Sequence, residues 1–398
     1  MSEVSFARST DDASNLMQVA ASYMDEIVRR SDEFENLRHM PQDLADRMAR
    51  DGLYQICTPV EYGGSEHSPR VYAEVVELLA QADASAAWCV FIGITSSFLL
   101  ASGQTEALKE ILRKPGVTTS GVLAPNGRAV RTTRDGVPGY ILNGRWQWGS
   151  GSRNAEWISS GGMVVDDHGH VILNADDKPE QLSLVVNASD VKLLDTWTVM
   201  GLQGTGSTDY QIENVFVPED RTISRYGVRK NTHPIFLFPN FGMLAIGIAS
   251  VALGAARAAV DDLVAFASKK VPQGNRRTLA EKPATQKDIA KAEAALRAGR
   301  AFFYEAIDAA WAGANQGDIS TAHRRDVRLA TTHAVASAKQ CIDIIYELAG
   351  GTAVYRTSPI QRRFRDVQVA GQHMMVSQAT YELVGRLMLG LHTNIDEL

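Results

Sequence analysis

Between residues 119 and 230 the chain changes its periodicity, and this constrains the fold more than any other feature. Tyr140-Ile-Leu-Asn-Gly-Arg-Trp-Gln-Trp148, His170-Val-Ile-Leu173, Leu182-Ser-Leu-Val-Val186 and Tyr210-Gln-Ile-Glu-Asn-Val-Phe-Val217 alternate or run apolar. Clusters of Gly, Asn and Asp separate them, the pattern of an antiparallel β domain. On either side the pattern is helical. Leu16, Val19, Tyr23 and Ile27 fall on one face at helical spacing, and Ala-rich periodic segments such as 327–348 follow the β block. Pro41 opens a second helix through Arg50, and Gly52 suits its C-terminal end. The sequence predicts an α+β chain in three parts: an N-terminal helical domain over 1–118, a central antiparallel β domain over 119–230 and a C-terminal helical bundle over 231–398.

Bulk properties narrow the function. A chain of 398 residues, 45% hydrophobic and 22% charged, is long enough for two or three domains around a large core. A net charge of -6 argues against nucleic acid as the main partner. The start, Met1-Ser-Glu-Val-Ser-Phe-Ala-Arg8, lacks the apolar stretch of a signal peptide. The most apolar run, 243–260, is Ala/Gly-rich and contains Arg257, so a buried helix is expected there rather than a membrane span. Cys57, Cys89 and Cys341 are widely spaced and form no metal or disulfide pattern, which fits a cytoplasmic protein without metal.

The chemistry concentrates in a few motifs. Gly350-Gly351 is followed by Pro359-Ile-Gln-Arg362-Arg-Phe-Arg365-Asp366 and then by Gln372-His373-Met374-Met375. This arrangement resembles the C-terminal signature of the acyl-CoA dehydrogenase superfamily. Met40-Pro-Gln-Asp-Leu-Ala-Asp-Arg-Met-Ala-Arg-Asp-Gly-Leu53 and Pro59-Val-Glu-Tyr-Gly-Gly64 resemble its N-terminal signature. The resemblance spans essentially the whole chain and implies that family's fold: helices, a β domain, then a helical bundle. In many of those dehydrogenases a glutamate base stands eight residues after the Asp. Here that position is Met374, which accepts no proton, and its neighbour is His373.

Trp148-Gly-Ser150-Gly151 resembles the flavin motif of the superfamily's two-component, flavin-dependent (group D) monooxygenases. Val122-Leu-Ala124-Pro-Asn-Gly127 resembles their flavin-side loop, and Trp197-Thr-Val-Met-Gly-Leu-Gln-Gly-Thr-Gly-Ser207 resembles a third motif, with Gln203 in place of an Arg. Taken alone, Gly201-x-x-Gly204-x-Gly206 reads as a turn, because strands rather than a βαβ unit surround it. The resemblance implies reduced FAD or FMN as cofactor, O2 as co-substrate, and a separate NAD(P)H-dependent flavin reductase as partner. It implies that Ala124, Trp148, Ser150, Gly151, Gly350, Gly351 and Arg365 hold the flavin. A lone histidine in a helical stretch is usually structural; with the resemblance, the catalytic candidates are His373, which would hydrogen-bond the distal oxygen of an adduct at flavin C4a or protonate it as it leaves, and Ser150, which would help hold the isoalloxazine. An unperturbed imidazole pKa near 6.5 suits such a group to proton transfer at working pH.

Arg362, Arg365 and Asp366 also read as an ion-paired brace at the flavin end of the bundle or as a subunit contact. Phe91, Thr95, Ser96 and Met374 are the candidate substrate residues, with Phe98 and Trp148 as further aromatic walls. Core packing is the alternative for the aromatics, and pocket or core for Met374 and Met375. Ser96 stands where phenol hydroxylases of the subgroup carry a histidine suited to deprotonating a phenol. A hydroxyl is a poor base, which favours an indole-type acid such as indoleacetate, then a phenolic or polycyclic substrate. Two alternatives stand beside the oxygenase: a dehydrogenase with a relocated base, and a non-catalytic flavin-binding subunit. No Asp or Glu lies between Asp220 and Asp261, the alternate location of the glutamate in some relatives. Ala-rich faces in the C-terminal zone, with the resemblance, suggest a homotetramer.

Overall fold

The structure, a computed structural model, describes residues 10–225, 233–396 and 398. The chain start at Met1 and the boundary expected at 230/231 lie outside them. The N-terminal part is helical: α1 (Thr10–Ser22), α2 (Met24–Leu37), α3 (Gln42–Arg50), α4 (Pro69–Ala82), α5 (Ala84–Ser102) and α6 (Glu106–Arg113). The β domain follows with β1 (Thr119–Arg134), β2 (Val137–Gly149), β3 (Trp157–Val165), β4 (Gln181–Asn187), β5 (Lys192–Leu193), β6 (Thr208–Pro218) and β7 (Thr222–Ser224). The C-terminal part is α7 (Asn240–Ala267), α8 (Pro283–Asn315), α9 (Thr321–Ala349), α10 (Pro359–Ala370) and α11 (Ala379–Met388).

α5 and α7 form the spine of the helical core. Asp83 caps α5 by accepting from the backbone N–H of Ser85 (2.8 Å) and Ala86 (3.1 Å). Both helices are long and apolar enough to cross a membrane, and 94% and 89% of their most apolar windows lie buried inside the fold, as expected of core helices. The sequence reading singled out only the second. Small residues let the spine pack closely. A Cβ on Gly254 of α7 would lie 2.2 Å from the Glu77 carbonyl of α4, so alanine there would force the helices apart.

Among the described residues the sheet has seven strands in the order β5-β6-β2-β1-β3-β4-β7. The β1–β3 pair is parallel, against the expectation of an antiparallel domain; the other pairings are antiparallel. Local alternation is the same for both pairings, so only the strand order separates them. Trp146, fully buried, stacks on Tyr210 at 5.3 Å between ring centres and donates to the Gly161 carbonyl (2.8 Å), anchoring the core of the sheet.

Candidate active site

Two irregularities in the sheet create the site. The β2–β6 ladder shifts register between Trp146 and Gly149. There Trp148 adopts φ +61° and the Ser150 N–H closes a tight turn on the Trp148 carbonyl (2.8 Å). A bulky non-glycine residue at positive φ stores strain, a hallmark of functional turns. The turn leaves the Trp148 ring 70% exposed while Ser150 points inward, 7% exposed. The β1–β3 ladder shifts between Val122 and Gly127, so the strand bulges at Leu123–Asn126 and presents an exposed Ala124. The Leu123 and Ala124 carbonyls lie 2.4 and 2.6 Å from where a Gly161 Cβ would be, so only glycine admits this bulge.

Ser150 sits in a chain of hydroxyls. Its Oγ accepts from the Trp88 indole N–H (3.0 Å) and lies 2.6 Å from the Ser207 Oγ, which lies 2.6 Å from the Thr205 Oγ1. The Ser120 hydroxyl donates to the Ser150 carbonyl (2.6 Å), tying β1 to the turn. Gly151, at φ +71°, has open space where a Cβ would stand, and the buried Ser152 hydroxyl has no partner among the described residues. A strained turn with an exposed indole, a bare glycine and an orphaned hydroxyl fits a flat heteroaromatic ring with polar edges, such as a flavin.

His373 faces this group from the bundle. Its ring centre lies 6.1 Å from that of Trp88. His373 follows α10, outside the helical stretch, in extended backbone (φ -67°, ψ 134°) and caps a short 3-10 turn, Met374–Val376. The Met375 N–H donates to His373 Nδ1 (3.2 Å), so the ring proton of the neutral imidazole sits on Nε2. Burial, and secondarily the Arg328 guanidinium, push the pKa down to about 4. A neutral imidazole with its proton on Nε2 can donate a hydrogen bond, the first of the two tasks expected of His373; the lowered pKa speaks against the second, proton transfer near pH 7. Buried Arg328 in turn donates to Met375 Sδ (3.0 Å) and Thr380 Oγ1 (3.4 Å).

The other predicted residues divide. Met374 is 61% exposed beside His373, so it is not core, whereas Met375 is. Phe91 and Phe98 are fully buried. Phe91 meets Trp88 edge-on at 4.8 Å and braces it, so it packs the core rather than walling a pocket. Thr95 and Ser96 are both 7% exposed, and the Thr95 hydroxyl is turned back on the Phe91 and Ile92 carbonyls (3.0 and 3.2 Å). Arg365 is committed to the protein: it donates to Glu35 (2.6 Å), Gln361 (2.7 Å) and the Met200 carbonyl. It ties the 197–207 loop to α2 and α10. Asp366 completes that grip, accepting from the Leu202 N–H (2.6 Å). Gln203 donates to the Val199 carbonyl (2.8 Å) inside the same loop, so no ionic contact replaces the family's Arg. A Cβ on Gly201 would lie 2.4 Å from the Arg365 backbone, which makes this glycine run a structural turn.

Gly350 and Gly351 stand apart from Ser150. Gly350 (φ +57°) caps the far end of α9, where Lys270 Nζ donates to the Ala349 carbonyl (2.8 Å) and Thr352 Oγ1 (2.7 Å). Arg328, beside His373, is near the start of that 29-residue helix. At ~1.5 Å per residue the two places are roughly 30 Å apart, so one chain does not bring them to the same ring. Trp88, Ser207, Thr205 and Arg328 carry the site geometry without having been predicted as site residues. Thr205 and Ser207 lie inside the 197–207 motif; nothing local marks Arg328. Among the described residues no His, Cys, Asp and Glu side chains gather as a metal site.

The chain is similar to proteins of one known family over most of its length. Residues 10–115 match the acyl-CoA dehydrogenase N-terminal domain and residues 246–378 the acyl-CoA dehydrogenase C-terminal domain. The chain is 34% identical to an indole-3-acetate monooxygenase of Pseudomonas putida, over 91% of this chain and 90% of that protein. It is 28% identical to the oxygenase subunit HsaA, a flavin-dependent monooxygenase of Rhodococcus jostii, over 90% of this chain and 93% of that protein. The structure of XiaF from Streptomyces sp. with FADH2 and glycerol superposes with a TM-score of 0.86 at 27% identity, covering 97% of each chain. This chain belongs to the acyl-CoA dehydrogenase family and, within it, to the oxygenase components of flavin-dependent monooxygenases.

Proposed function

We propose that the protein oxygenates an indole-type acid, with reduced FAD or FMN delivered by a separate NAD(P)H-dependent flavin reductase. One observation carries the choice. The dehydrogenase base position is Met374, exposed and unable to take a proton, and the histidine beside it is a neutral donor. Ser96 on α5 offers no base either. A substrate that must first be ionised has no partner among these groups, whereas an indole is electron-rich as it stands.

The residues divide the work. Trp148, Ala124 and Gly151 would seat the isoalloxazine, and Ser150 would bind its polar edge. Reduced flavin supplies the electrons by which O2 gives one oxygen atom to the substrate and one to water. His373 Nε2–H would hold oxygen in place, and the buried Trp88–Phe91 wall would keep water away. Gly350 and Gly351 would serve the flavin site of another subunit in a homotetramer; a stable monomer in sedimentation at micromolar concentration contradicts that. The three cysteines are free and buried, which supports a cytoplasmic location; cell fractionation tests it.

The functional test is a panel of indole acids, phenolic acids and polycyclics, each supplied with reduced flavin and O2. Indole acids are expected to give oxygenated product with the tightest coupling of flavin consumed to product formed. Efficient turnover of phenols alone contradicts the substrate assignment.

A further inference from the structure

The hydroxyl chain at Ser150 has a fixed direction. Thr205 Oγ1 donates to the Leu202 carbonyl (2.8 Å), which accepts only. A hydroxyl has one proton, so in the 2.6 Å contact between Thr205 and Ser207 it is Ser207 that donates. The Ser207 proton is thereby used, so in its 2.6 Å contact with Ser150 it is Ser150 that donates. At the other end the Trp88 N–H donates to Ser150 (3.0 Å). Every proton runs one way, from Trp88 through Ser150, Ser207 and Thr205 to Leu202. The terminus is well held: Leu202 is 2% exposed, sits at φ +52°, and gives its N–H to Asp366 (2.6 Å). All of these hydroxyls are buried, at 7% exposure or less, so solvent does not offer them alternative partners.

Ser150 is left with one unused lone pair and no free proton. We propose that Thr205 and Ser207 are positioning residues that make Ser150 an acceptor only, and that they thereby set the preference of this site for reduced over oxidised flavin. The inference rests on the assignment of Ser150 to the isoalloxazine. The chemistry is general. The reduced ring carries an N–H on its central ring where the oxidised ring has a bare nitrogen. An acceptor-only serine accepts from the former and opposes the lone pair of the latter. Had Ser150 a free proton, it would serve both forms and select neither.

The test is anaerobic titration of the whole protein with oxidised and reduced FMN and FAD, with the midpoint potential of the bound flavin as a second reading. Thr205→Val keeps the shape of the side chain and removes the acceptor for Ser207. Ser207 then turns its proton to Ser150, and Ser150 is free to donate outward. The ratio of oxidised to reduced dissociation constants is expected to fall about tenfold, the worth of one hydrogen bond. For a two-electron couple this is a drop of about 30 mV in potential. Thr205→Ser, which restores the hydroxyl, should restore the ratio. Ser207→Ala should act like Thr205→Val, which guards against one variant failing to fold. In a Ser150→Ala background, Thr205→Val should have no further effect. The proposal is overturned if Val and Ser at 205 shift the ratio equally, or if the Val effect persists without Ser150. If Ser150→Ala leaves both affinities unchanged, the assignment of Ser150 to the flavin fails, and the proposal with it.

Discussion

His373→Ala should bind reduced flavin nearly as well as the parent protein and release hydrogen peroxide where the parent releases product. Removing one preorganised donor from a site where negative charge develops costs about 2–3 kcal/mol, so the fraction of O2 use that ends in product should fall by roughly 30- to 150-fold. Flavin affinity should hold, because Ser150, Trp148 and the β1 bulge are untouched. The alanine also loses the cap on Met375, worth about 1 kcal/mol of stability. His373→Asn retains a capping oxygen and should recover that stability while recovering coupling only in part. In the parent, coupling should stay flat between pH 6 and 8, since a group with a pKa of about 4 is neutral throughout. The stability sign is equally defined. Unfolded His373 takes up a proton near pH 6.5 and the folded one does not, so stability is unaffected above that pH and declines as pH falls toward 4. A coupling ratio that titrates near neutral pH in the parent and not in His373→Asn would mean that His373 is a proton donor in the ordinary sense.

Asp366→Asn should make the protein more stable at pH 8 by up to about 4 kcal/mol. Burial and the neighbouring Asp83 raise the Asp366 carboxyl to about 7, against the hydrogen bond from Leu202 and the Arg365 charge. Between the unfolded value near 4 and the folded value the native state holds a proton that the unfolded state has released. Stability therefore falls as pH rises through that window and is level above it; a shift of about three units corresponds to about 4 kcal/mol. Asparagine keeps an oxygen for the Leu202 N–H without ionising, so its advantage should be full at pH 8 and vanish near pH 4. Asp366→Ala removes the acceptor and leaves that N–H buried, costing about 1–3 kcal/mol. Urea unfolding of the three proteins at pH 5 and pH 8 measures both effects. An asparagine variant less stable than the parent at pH 8 would mean that the ionised carboxylate is better compensated than its surroundings suggest.

The order helix, sheet, helix was legible because each zone keeps one period over many residues. Ser150 was legible through the resemblance of Trp148-Gly149-Ser150-Gly151 to a flavin motif, and the tight turn that seats it became visible only in the structure. The pairing of β1 with β3 was not, since alternation does not record direction. Nor was the depressed pKa of His373: Arg328 lies on another helix, and burial is a tertiary fact. Phe91 read as a pocket wall because an aromatic on a core helix looks the same in sequence whether it meets a ligand or Trp88. Arg365 read both as a cofactor contact and as an ion-paired brace, and its partner Glu35 was not legible because it is distant along the chain. Gly350 and Gly351 read as part of one flavin site, and the length of α9 separates them from it.

The central claim is that this protein passes oxygen from O2 to an aromatic substrate and does not oxidise an acyl chain. The most direct measurement is mass spectrometry of the product formed from an indole acid under 18O2, with flavin reduced by a separate reductase. One 18O atom per product molecule is expected, with no bleaching of oxidised flavin by short- or long-chain acyl-CoAs under anaerobic conditions. Rapid bleaching by any acyl-CoA, with no label in the indole, would contradict it and make Met374 a substitution within a working dehydrogenase.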